Sequence, residues 1–236
     1  MFKSAMLTKV GGRAVNEDSV RAASGEGSLC AVLADGLGGH GGGDVASALT
    51  VDAIMDAYKA GELSSPARLE AAIEAANRRV LDAQTERCQM KSTVVALRLE
   101  GERMFWAHVG DSRLYHFKSG RIVSHTRDHS LSQLAVLMGE ISEDQIRFHS
   151  QRSRILRALG SEGAQPDVTE VLSLAPGETC FLLCSDGFWE YVLESDMEGT
   201  MKEAGSPEDW LAAMERILLG KVQPGNDNYS AIAVFA

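Results

Sequence analysis

The sequence predicts an α+β fold in which helices lie on antiparallel β-sheets. Two short apolar runs, at 28–34 and 178–184, each end in turn residues, as buried strands do. Further strand-like segments follow one another in the middle of the chain, and helical patterns stand before and after them without βαβ alternation. Strands and helices mixed in this way are typical of helices packed on antiparallel sheets.

The central strand-like segments are separated by short turns that are polar or contain glycine. They span 92–100, 103–109, 113–117 and 121–125. Turns of this kind join neighbouring antiparallel strands. We therefore predict that the four segments form one antiparallel meander.

Composition and capping residues predict the main helices. The segment 43–60 is rich in alanine, and Ser65 with Pro66 supplies an N-cap and a proline at the first helical position. Ser206 and Pro207 open another helix in the same way. The inner face of the helix that begins at Pro66 carries Leu69, Ile73, Ala76 and Val80.

Residues 126–165 differ from the rest of the chain because they are charged, consist of short elements and contain no clear strand. We interpret this segment as a small helical flap inserted into the fold.

Composition limits the possible functions. The 236 residues suffice for one large domain or two small ones, and a hydrophobic content of 44% is ordinary for a globular protein. No apolar stretch approaches the roughly 18 residues of a membrane span, and the N-terminal sequence lacks the apolar core of a signal peptide. We therefore expect a cytoplasmic protein without membrane contact.

The net charge of −10 argues against nucleic-acid binding, which normally requires a basic surface. The four cysteines have neither zinc-site nor disulfide spacing, so we expect them to be reduced. They are Cys30, Cys88, Cys180 and Cys184.

Four aspartates, Asp35, Asp111, Asp186 and Asp227, stand where strand-like runs stop or begin. An aspartate followed by glycine after a strand is usually a turn, and both Asp35 and Asp186 have this context. The repetition, and glycines that allow a carbonyl such as that of Gly36 to reach a metal, favour a shared site for hard divalent cations, which prefer oxygen ligands. A metal-dependent hydrolase is therefore the first functional hypothesis.

Arg13, Glu17 and Asp18 lie on one short extended stretch, for which a solvated charged turn is the alternative interpretation. Alternation along a strand would direct Glu17 and Asp18 to opposite faces, so we expect at most one to ligate a metal directly, the other acting through water. The planar guanidinium of Arg13 would suit a pair of phosphate oxygens.

Motifs of other phosphatase and nucleotide-binding classes are missing from the sequence. The residues six positions after the cysteines are Gly36, Val94, Asp186 and Glu190, so no Cys-x5-Arg motif exists. A DxD pair after a strand, the GDxHG and GNHD pair, and the GxxxxGK[ST] loop are also missing.

Together, these residues resemble the metal-dependent protein serine/threonine phosphatases of type 2C in their compact bacterial form. Segments that correspond to family motifs occur in family order along nearly the whole chain. They are Arg13 with NED, DGLGGHGGGDVAS, the strand at 92–93, HVGDSRLY, TRDHSL, RALG at 157–160, LLCSDGFWE and NDNYSAIAV. One such motif is weak, but eight in the correct order are specific.

The resemblance implies one phosphatase domain over 1–236, with the flap as an insertion at 126–165. It also implies a four-layer α/β/β/α sandwich, two antiparallel sheets flanked by helices, with a two-metal centre in a cleft at one end. In the family pattern Asp35 bridges both metals, Asp186 and Asp227 complete one of them, and the Gly36 carbonyl belongs to the other.

The remaining family positions surround this centre. By resemblance, Glu17 and Asp18 bind a metal directly or through water, and Asp111 helps Asp186 to hold a third, weaker ion. Arg13 corresponds to the residue that clamps the substrate phosphate.

Histidine departs from part of the family pattern. Animal members place a histidine two positions after the bridging aspartate, where Leu37 stands here, and the nearest histidine is His40. His40 would either protonate the leaving oxygen as general acid or cap the following helix. We expect His108 to pack within a strand and His129 to shape the flap.

The implied activity is hydrolysis of phosphoserine and phosphothreonine by a hydroxide that bridges two metals, Mn²⁺ or Mg²⁺. The implied partners are phosphorylated proteins and an opposing serine/threonine kinase, and we expect a monomer. Two alternatives remain open: a phosphatase-like module that only binds phosphoproteins, and an enzyme that acts on a small phosphoester. By position, the flap at 126–165 is the expected place of substrate selection.

Overall fold

The computed structural model describes residues 2–37 and 41–236, and its centre consists of two antiparallel β-sheets. The five-stranded sheet contains, in spatial order, β1 (Lys3–Lys9), β12 (Tyr229–Phe235), β11 (Thr179–Cys184), β7 (Arg113–Lys118) and β8 (Arg121–His125). The seven-stranded sheet contains β10 (Leu172–Ser173), β6 (Arg103–Val109), β5 (Val94–Glu100), β3 (Ser28–Leu37) and β2 (Asp18–Gly25), with β4 (Lys91–Ser92) beside β3 and β9 (Asp167–Val168) beside β6.

Helices cover the outer face of each sheet. The seven-stranded sheet carries α1 (Gly43–Lys59) and α2 (Pro66–Ala83). The five-stranded sheet carries α4 (Asp186–Trp189), α5 (Glu194–Met201) and α6 (Pro207–Leu219). The layer order is helix, sheet, sheet, helix, so the predicted four-layer α+β sandwich is confirmed. Among the helices of the described ranges, none is long and apolar enough to cross a membrane.

The position of strand β3 explains why residues 29–34 are an unbroken apolar run. Successive side chains of a strand point to opposite faces. Leu29, Ala31 and Leu33 pack between the two sheets. Cys30, Val32 and Ala34 pack beneath α1 and α2. Both faces of the strand are therefore buried, and no polar alternation is possible.

The predicted helix starts at the two Ser-Pro pairs are correct. The Ser65 hydroxyl accepts a hydrogen bond from the backbone N–H of Arg68 at 3.4 Å, and the Ser206 hydroxyl accepts one from Asp209 at 3.1 Å. Each serine satisfies a backbone donor that the first helical turn leaves free.

The predicted single meander is wrong, because β6 and β7 belong to different sheets. The free edge of β6 is occupied by β9 and β10, strands of two residues each that are too short to recognise in the sequence. The chain instead crosses between the sheets at Gly110, whose φ of +103° favours glycine. A Cβ at Gly110 would lie 2.6 Å from Cγ2 of Thr93.

The segment 126–165 contains a short helix, α3 (Leu131–Leu137), and a 3₁₀ helix at Glu143–Phe148. Single β-bridges pair Ser130 with Ile155 within the segment and Leu159 with Ser92 of β4. The segment thus leaves the five-stranded sheet after β8 and returns beside β4 of the seven-stranded sheet.

A buried ion pair fixes the start of this segment. The guanidinium of Arg113 donates from Nε to Oδ1 and from Nη2 to Oδ2 of Asp128, both at 2.8 Å, and both side chains are at most 3% exposed. The same guanidinium lies 3.6 Å from the centre of the Trp189 ring. Two parallel hydrogen bonds and a stacked ring fix the geometry of this pair.

We predict that Asp128→Asn lowers the free energy of unfolding by about 3 kcal/mol, because it removes the counter-charge that is hydrogen-bonded to the buried Arg113 and leaves only Glu194, at 3.9 Å. The control is Asp56→Asn, which breaks the exposed Arg79–Asp56 pair (3.3 Å) and is expected to cost less than about 0.5 kcal/mol. Urea unfolding of both variants measures the difference. Equal losses in the two variants would contradict the prediction.

Candidate metal centre

A cavity of about 510 Å³ brings together most of the residues singled out in the sequence. Its lining includes Arg13, Glu17, Asp35, Gly36, Asp111, Asp186 and Asp227, together with Asn228, Ser153 and Ile155. Positions separated by more than 200 residues in the chain therefore meet in one place.

Both sheets deliver carboxylates to the cavity. Asp35 lies on β3 of the seven-stranded sheet, which continues to Leu37 rather than stopping at the aspartate. Asp186 begins α4 directly after β11, and Asp227 precedes β12 in the five-stranded sheet. Asp111 lies in the connection that crosses from one sheet to the other.

The main chain of Asp35 is held by hydrogen bonds that leave its carboxylate free. Its N–H donates to Oγ1 of Thr93 at 3.0 Å, and its carbonyl accepts from the N–H of Thr93 at 2.8 Å and from the hydroxyl of Ser92 at 3.1 Å. These bonds fix the position of the carboxylate without neutralising it.

Burial and mutual repulsion raise the pKa values of the carboxylates. Burial, followed by Asp18, Asp186 and Asp111, raises the pKa of Asp35 well above its usual value. Burial and Glu190, with further contributions from Asp227 and Asp18, raise the pKa of Asp186 to about 7. The pKa of Asp111 is also raised well above its usual value, by burial and then by Asp186.

Two carboxylate oxygens indicate what this arrangement is suited to hold. Oδ1 of Asp18 and Oδ1 of Asp111 are buried and have no hydrogen-bond partner within residues 2–37 and 41–236. A buried polar atom without a partner is costly, and a charged one more so. The unsatisfied oxygen of Asp111, which lines the cavity beside the other aspartates, fits a hard divalent cation.

Asp18 lies beside Asp35 but not in the cavity lining. The two residues are opposite each other in the β2–β3 register, and Asp18 is 8% exposed. Its Oδ2 accepts a hydrogen bond from the Ser185 hydroxyl at 2.9 Å, and its pKa is raised to about 6, chiefly by burial. Glu17 instead lines the cavity. Which of these two neighbours would bind a metal directly stays a prediction.

Gly36 lies where no side chain fits. A Cβ at this position would be 2.1 Å from the carbonyl oxygen of Gly43 and 2.7 Å from that of Glu17. The N–H of Gly36 donates to the same Glu17 carbonyl at 3.0 Å. Glycine is therefore required for the close approach of three backbone segments beside Asp35.

Arg13 lies at the rim of the cavity. Its side chain is 54% exposed, and Nη2 lies 2.8 Å from Oδ2 of Asp227. A second cavity of about 290 Å³ adjoins this rim and shares Arg13, Ser153, Asp186 and Asp227 with the first. His40, the predicted general acid, lies outside the described residues.

A separate cluster of His108, His129 and Asp167 has potential ligand atoms within 4.8 Å of one another. Nη1 of Arg157 already lies 2.7 Å from Oδ1 of Asp167 and 3.2 Å from Nε2 of His129. The two imidazoles are stacked at 4.7 Å with an angle of 16°, so their in-plane lone pairs do not converge on one point. The ion pair of this cluster is Arg157–Asp167, and the two histidines pack beside it.

His129 fixes the connection that carries Asp111. The Nδ1 of its ring accepts from the backbone N–H of Gly110 at 3.1 Å, and the backbone N–H of His129 donates to the Gly110 carbonyl at 2.9 Å. Burial, then the neighbouring His108 and Arg157, lowers the pKa of His129 to about 4, so the ring stays neutral and Nδ1 remains an acceptor at neutral pH.

Several residues of the site were not singled out in the sequence. Ser153 and Ile155 reach the cavity from the 126–165 segment, and no pattern in that segment marks them. Trp189 donates from Nε1 to the Asp111 carbonyl at 2.9 Å and so links α4 to the crossing connection. Asn228 is adjacent to Asp227 in the sequence, and this adjacency is the sequence feature that could have indicated its place in the site.

Comparison with known proteins places the chain in a family. A family model described as "Protein phosphatase 2C" matches residues 10–218, and the chain belongs to this family. The serine/threonine protein phosphatase PstP of Mycobacterium tuberculosis is 34% identical over 226 residues, which are 93% of this chain and 42% of that protein. The serine/threonine phosphatase stp of Listeria welshimeri is 33% identical over 215 residues, 86% of this chain and 82% of that protein.

Solved structures agree with this assignment. The crystal structure of the M. tuberculosis phosphatase PstP/Ppp has a TM-score of 0.84 at 30% identity and covers 99% of this chain and 98% of that chain. The catalytic domain of PstP in complex with 2 manganese ions has a TM-score of 0.83 at 29% identity, covering 99% and 97%. The family and the fold predicted from the sequence are confirmed.

The raised pKa of Asp35 leads to a prediction about stability without metal. The folded chain holds a proton on this carboxyl that the unfolded chain releases at its usual pKa of 3.8, so stability is lost as the pH rises from that value through the raised one. Asn cannot ionise, so metal-free Asp35→Asn should melt above the wild type at pH 8, by about 2–4 °C for each kcal/mol relieved.

Thermal unfolding in EDTA from pH 5 to pH 8 measures this effect, and the advantage of the variant should grow with pH. The control is Asp52→Asn, in the exposed pair with Arg21, which should show no such trend. A variant that melts below the wild type at pH 8 would show that repulsion does not govern the site.

Proposed function

We propose that this protein hydrolyses phosphoserine and phosphothreonine residues of proteins with the help of divalent cations. The observation that carries the proposal is the convergence of Asp35, Asp111, Asp186 and Asp227 from both sheets into one cavity with Arg13 at its rim. The sequence relatives named as serine/threonine phosphatases support the same chemistry. The chain spans 42% of the length of the M. tuberculosis relative.

The cations we propose are Mn²⁺ or Mg²⁺, because every donor in the set is an oxygen. Asp35, Asp186 and Asp227, with the Gly36 carbonyl, would hold two ions, and Asp111 with Asp186 would hold a third, weaker one. Glu17 and Asp18 would bind directly or through water. When bound, such a pair of ions supplies an activated water as nucleophile and balances the charge of the phosphate.

The residues of the chain itself position the substrate. Arg13 can direct a planar fork of N–H donors at two phosphate oxygens, and Asp227 uses one of these donors in the structure described. The other N–H donors of the Arg13 guanidinium remain available for the phosphate. We retain His40 as the proposed general acid that protonates the leaving serine or threonine oxygen.

We propose that the flap, residues 126–165, contacts the protein substrate. Ser153 and Ile155 of this segment line the cavity, and Ser153 also lines the adjoining cavity of about 290 Å³. These positions support the assignment of 126–165 as an insertion in one phosphatase domain over 1–236.

We further propose that the protein acts in the cytoplasm, as a monomer, and opposes a serine/threonine kinase. The four cysteines are all free in the ranges that the structure describes, which suits a reducing compartment. The net charge of −10 supports the expectation that nucleic acid is not a partner.

Metal dependence is tested by the hydrolysis of p-nitrophenyl phosphate with Mn²⁺, with Mg²⁺ and with EDTA. We expect activity with either cation, none with EDTA, and recovery when Mn²⁺ is returned. Asp35→Asn should lower kcat/KM by about 100-fold or more, since it removes a direct ligand. Activity that survives EDTA or the loss of Asp35 contradicts the proposed mechanism.

Phosphopeptides then distinguish the alternatives with the same protein. Release of phosphate from phosphoserine and phosphothreonine peptides supports a protein phosphatase. Binding without release would indicate a phosphoprotein-binding module, and hydrolysis confined to small esters would indicate a different substrate class.

The role of Arg13 is tested by the inhibition constant of inorganic phosphate. Arg13→Ala should weaken inhibition about tenfold, the ratio that corresponds to a lost charge-assisted hydrogen bond. The matched control is Arg21→Ala, because Arg21 is also 54% exposed and also pairs with an aspartate, Asp52, at 2.8 Å. Equal inhibition constants for the two variants would remove Arg13 from the phosphate site.

A further inference from the structure

The loop at 10–17 carries Arg13 and Glu17 into the cavity, yet it contains no helix or strand. It connects β1 to β2, and the side chain of Arg13 is half exposed. An exposed ion pair such as Arg13–Asp227 contributes little to fixing a backbone. The position of Arg13 must therefore be set by contacts of the loop itself.

Asn228 supplies those contacts with its side-chain amide. Its Nδ2 donates to the carbonyl of Val10 at 2.8 Å and to the carbonyl of Val15 at 3.0 Å. Its Oδ1 accepts from the N–H of Glu17 at 2.8 Å. Both N–H donors and the carbonyl of the amide are used, and the residue is 6% exposed.

These three bonds enclose Arg13 from both sides. Val10 precedes Arg13 in the chain and Val15 follows it, and one amide group holds the carbonyls of both. The same amide belongs to the residue next to Asp227, the ion-pair partner of Arg13. The position of Arg13 relative to Asp227 is thus fixed by hydrogen bonds to the backbone of the loop.

The backbone of the 10–17 loop also packs against the backbone of residues 225–228. The N–H of Gly12 donates to the carbonyl of Asn226 at 2.9 Å. A Cβ at Gly11 would lie 2.2 Å from the carbonyl oxygen of Asp227, and one at Gly12 would lie 2.6 Å from Cα of Gly225. The loop therefore lies directly against the backbone of 225–228.

We propose that Asn228 is a positioning residue that holds the 10–17 loop and so places Arg13 for the phosphate. The inference rests on the proposed role of Arg13 and deepens it. Both N–H donors of the Asn228 amide are used by the loop, so it acts through the carbonyls of Val10 and Val15 and through the N–H of Glu17.

Two substitutions separate the bonds of the amide. Asn228→Ala removes all three, whereas Asn228→Asp keeps an acceptor for the Glu17 N–H and loses both donors to the carbonyls. The matched control is Asn77→Ala, because Asn77 is also buried and also holds a loop, by accepting from the N–H of Gly160 at 2.7 Å and donating to the carbonyl of Ser161 at 3.1 Å.

Amide hydrogen exchange of the metal-free protein measures the loop without any catalytic step. In Asn228→Ala the amides of Gly12, Arg13 and Glu17 should exchange about tenfold faster, as expected for the loss of hydrogen bonds that hold them. In Asn228→Asp the amides of Gly12 and Arg13 should accelerate while that of Glu17 stays protected. Unchanged exchange in both variants overturns the inference, and Asn77→Ala should leave these amides unchanged.

The inhibition constant of inorganic phosphate then relates loop order to Arg13. Asn228→Ala should weaken inhibition by about fivefold to tenfold in the wild-type background and by less than about twofold in the Arg13→Ala background, since the two residues act as a unit. Additive losses overturn the inference, because Asn228 would then act independently of Arg13.

The outcomes distinguish this inference from the proposed function. If Arg13→Ala leaves phosphate inhibition unchanged, the proposed phosphate role of Arg13 fails and the positioning role fails with it. If Arg13→Ala weakens inhibition but both Asn228 variants do not, the positioning role alone fails. Asn228→Asp serves this comparison if Asn228→Ala does not fold.

Discussion

Repulsion among buried carboxylates is the constraint on which the structure of the site depends. Burial raises the pKa values of Asp35, Asp111 and Asp186; Asp186 and Asp111 raise that of Asp35 further, and Asp186 raises that of Asp111. Asp111 is only 2% exposed and its Oδ1 has no hydrogen-bond partner in the described part of the chain, so water screens its charge little. A cation relieves this repulsion when it binds, so the same crowding that lowers stability creates affinity.

The surrounding fold holds these groups through their backbones and through neutral partners. Thr93 holds the main chain of Asp35 in both directions, and Trp189 holds the carbonyl of Asp111. Ser185 donates to Asp18, and the amide of Asn228 holds the loop that carries Arg13. None of these bonds is made to a carboxylate group that lines the cavity, so these groups remain able to bind a cation while their positions are fixed.

Much of the fold and of the site could be predicted from the sequence, because its signals were local. The Ser-Pro helix starts, the doubly buried run of β3 and the Asp-Gly pairs each lie within a few adjacent residues. The crossing at Gly110 could not be predicted, because it depends on β9 and β10 occupying the edge of β6. Sequence patterns could not predict the roles of Ser153, Ile155 and the Asn228 amide, because these roles depend on contacts between residues that are distant in the chain.

The delivery of Asp35 by one sheet and of Asp186 and Asp227 by the other has a consequence for how the protein can evolve. The separation of the sheets at that end sets the spacing of these carboxylates, and side chains such as Leu33 and Ile232 in the layer between the sheets set that separation. A substitution that changes the volume of an apolar side chain between the sheets can therefore change the distances between these carboxylates, although it replaces no polar group. Selection on the site is in this way also selection on the volume of the core.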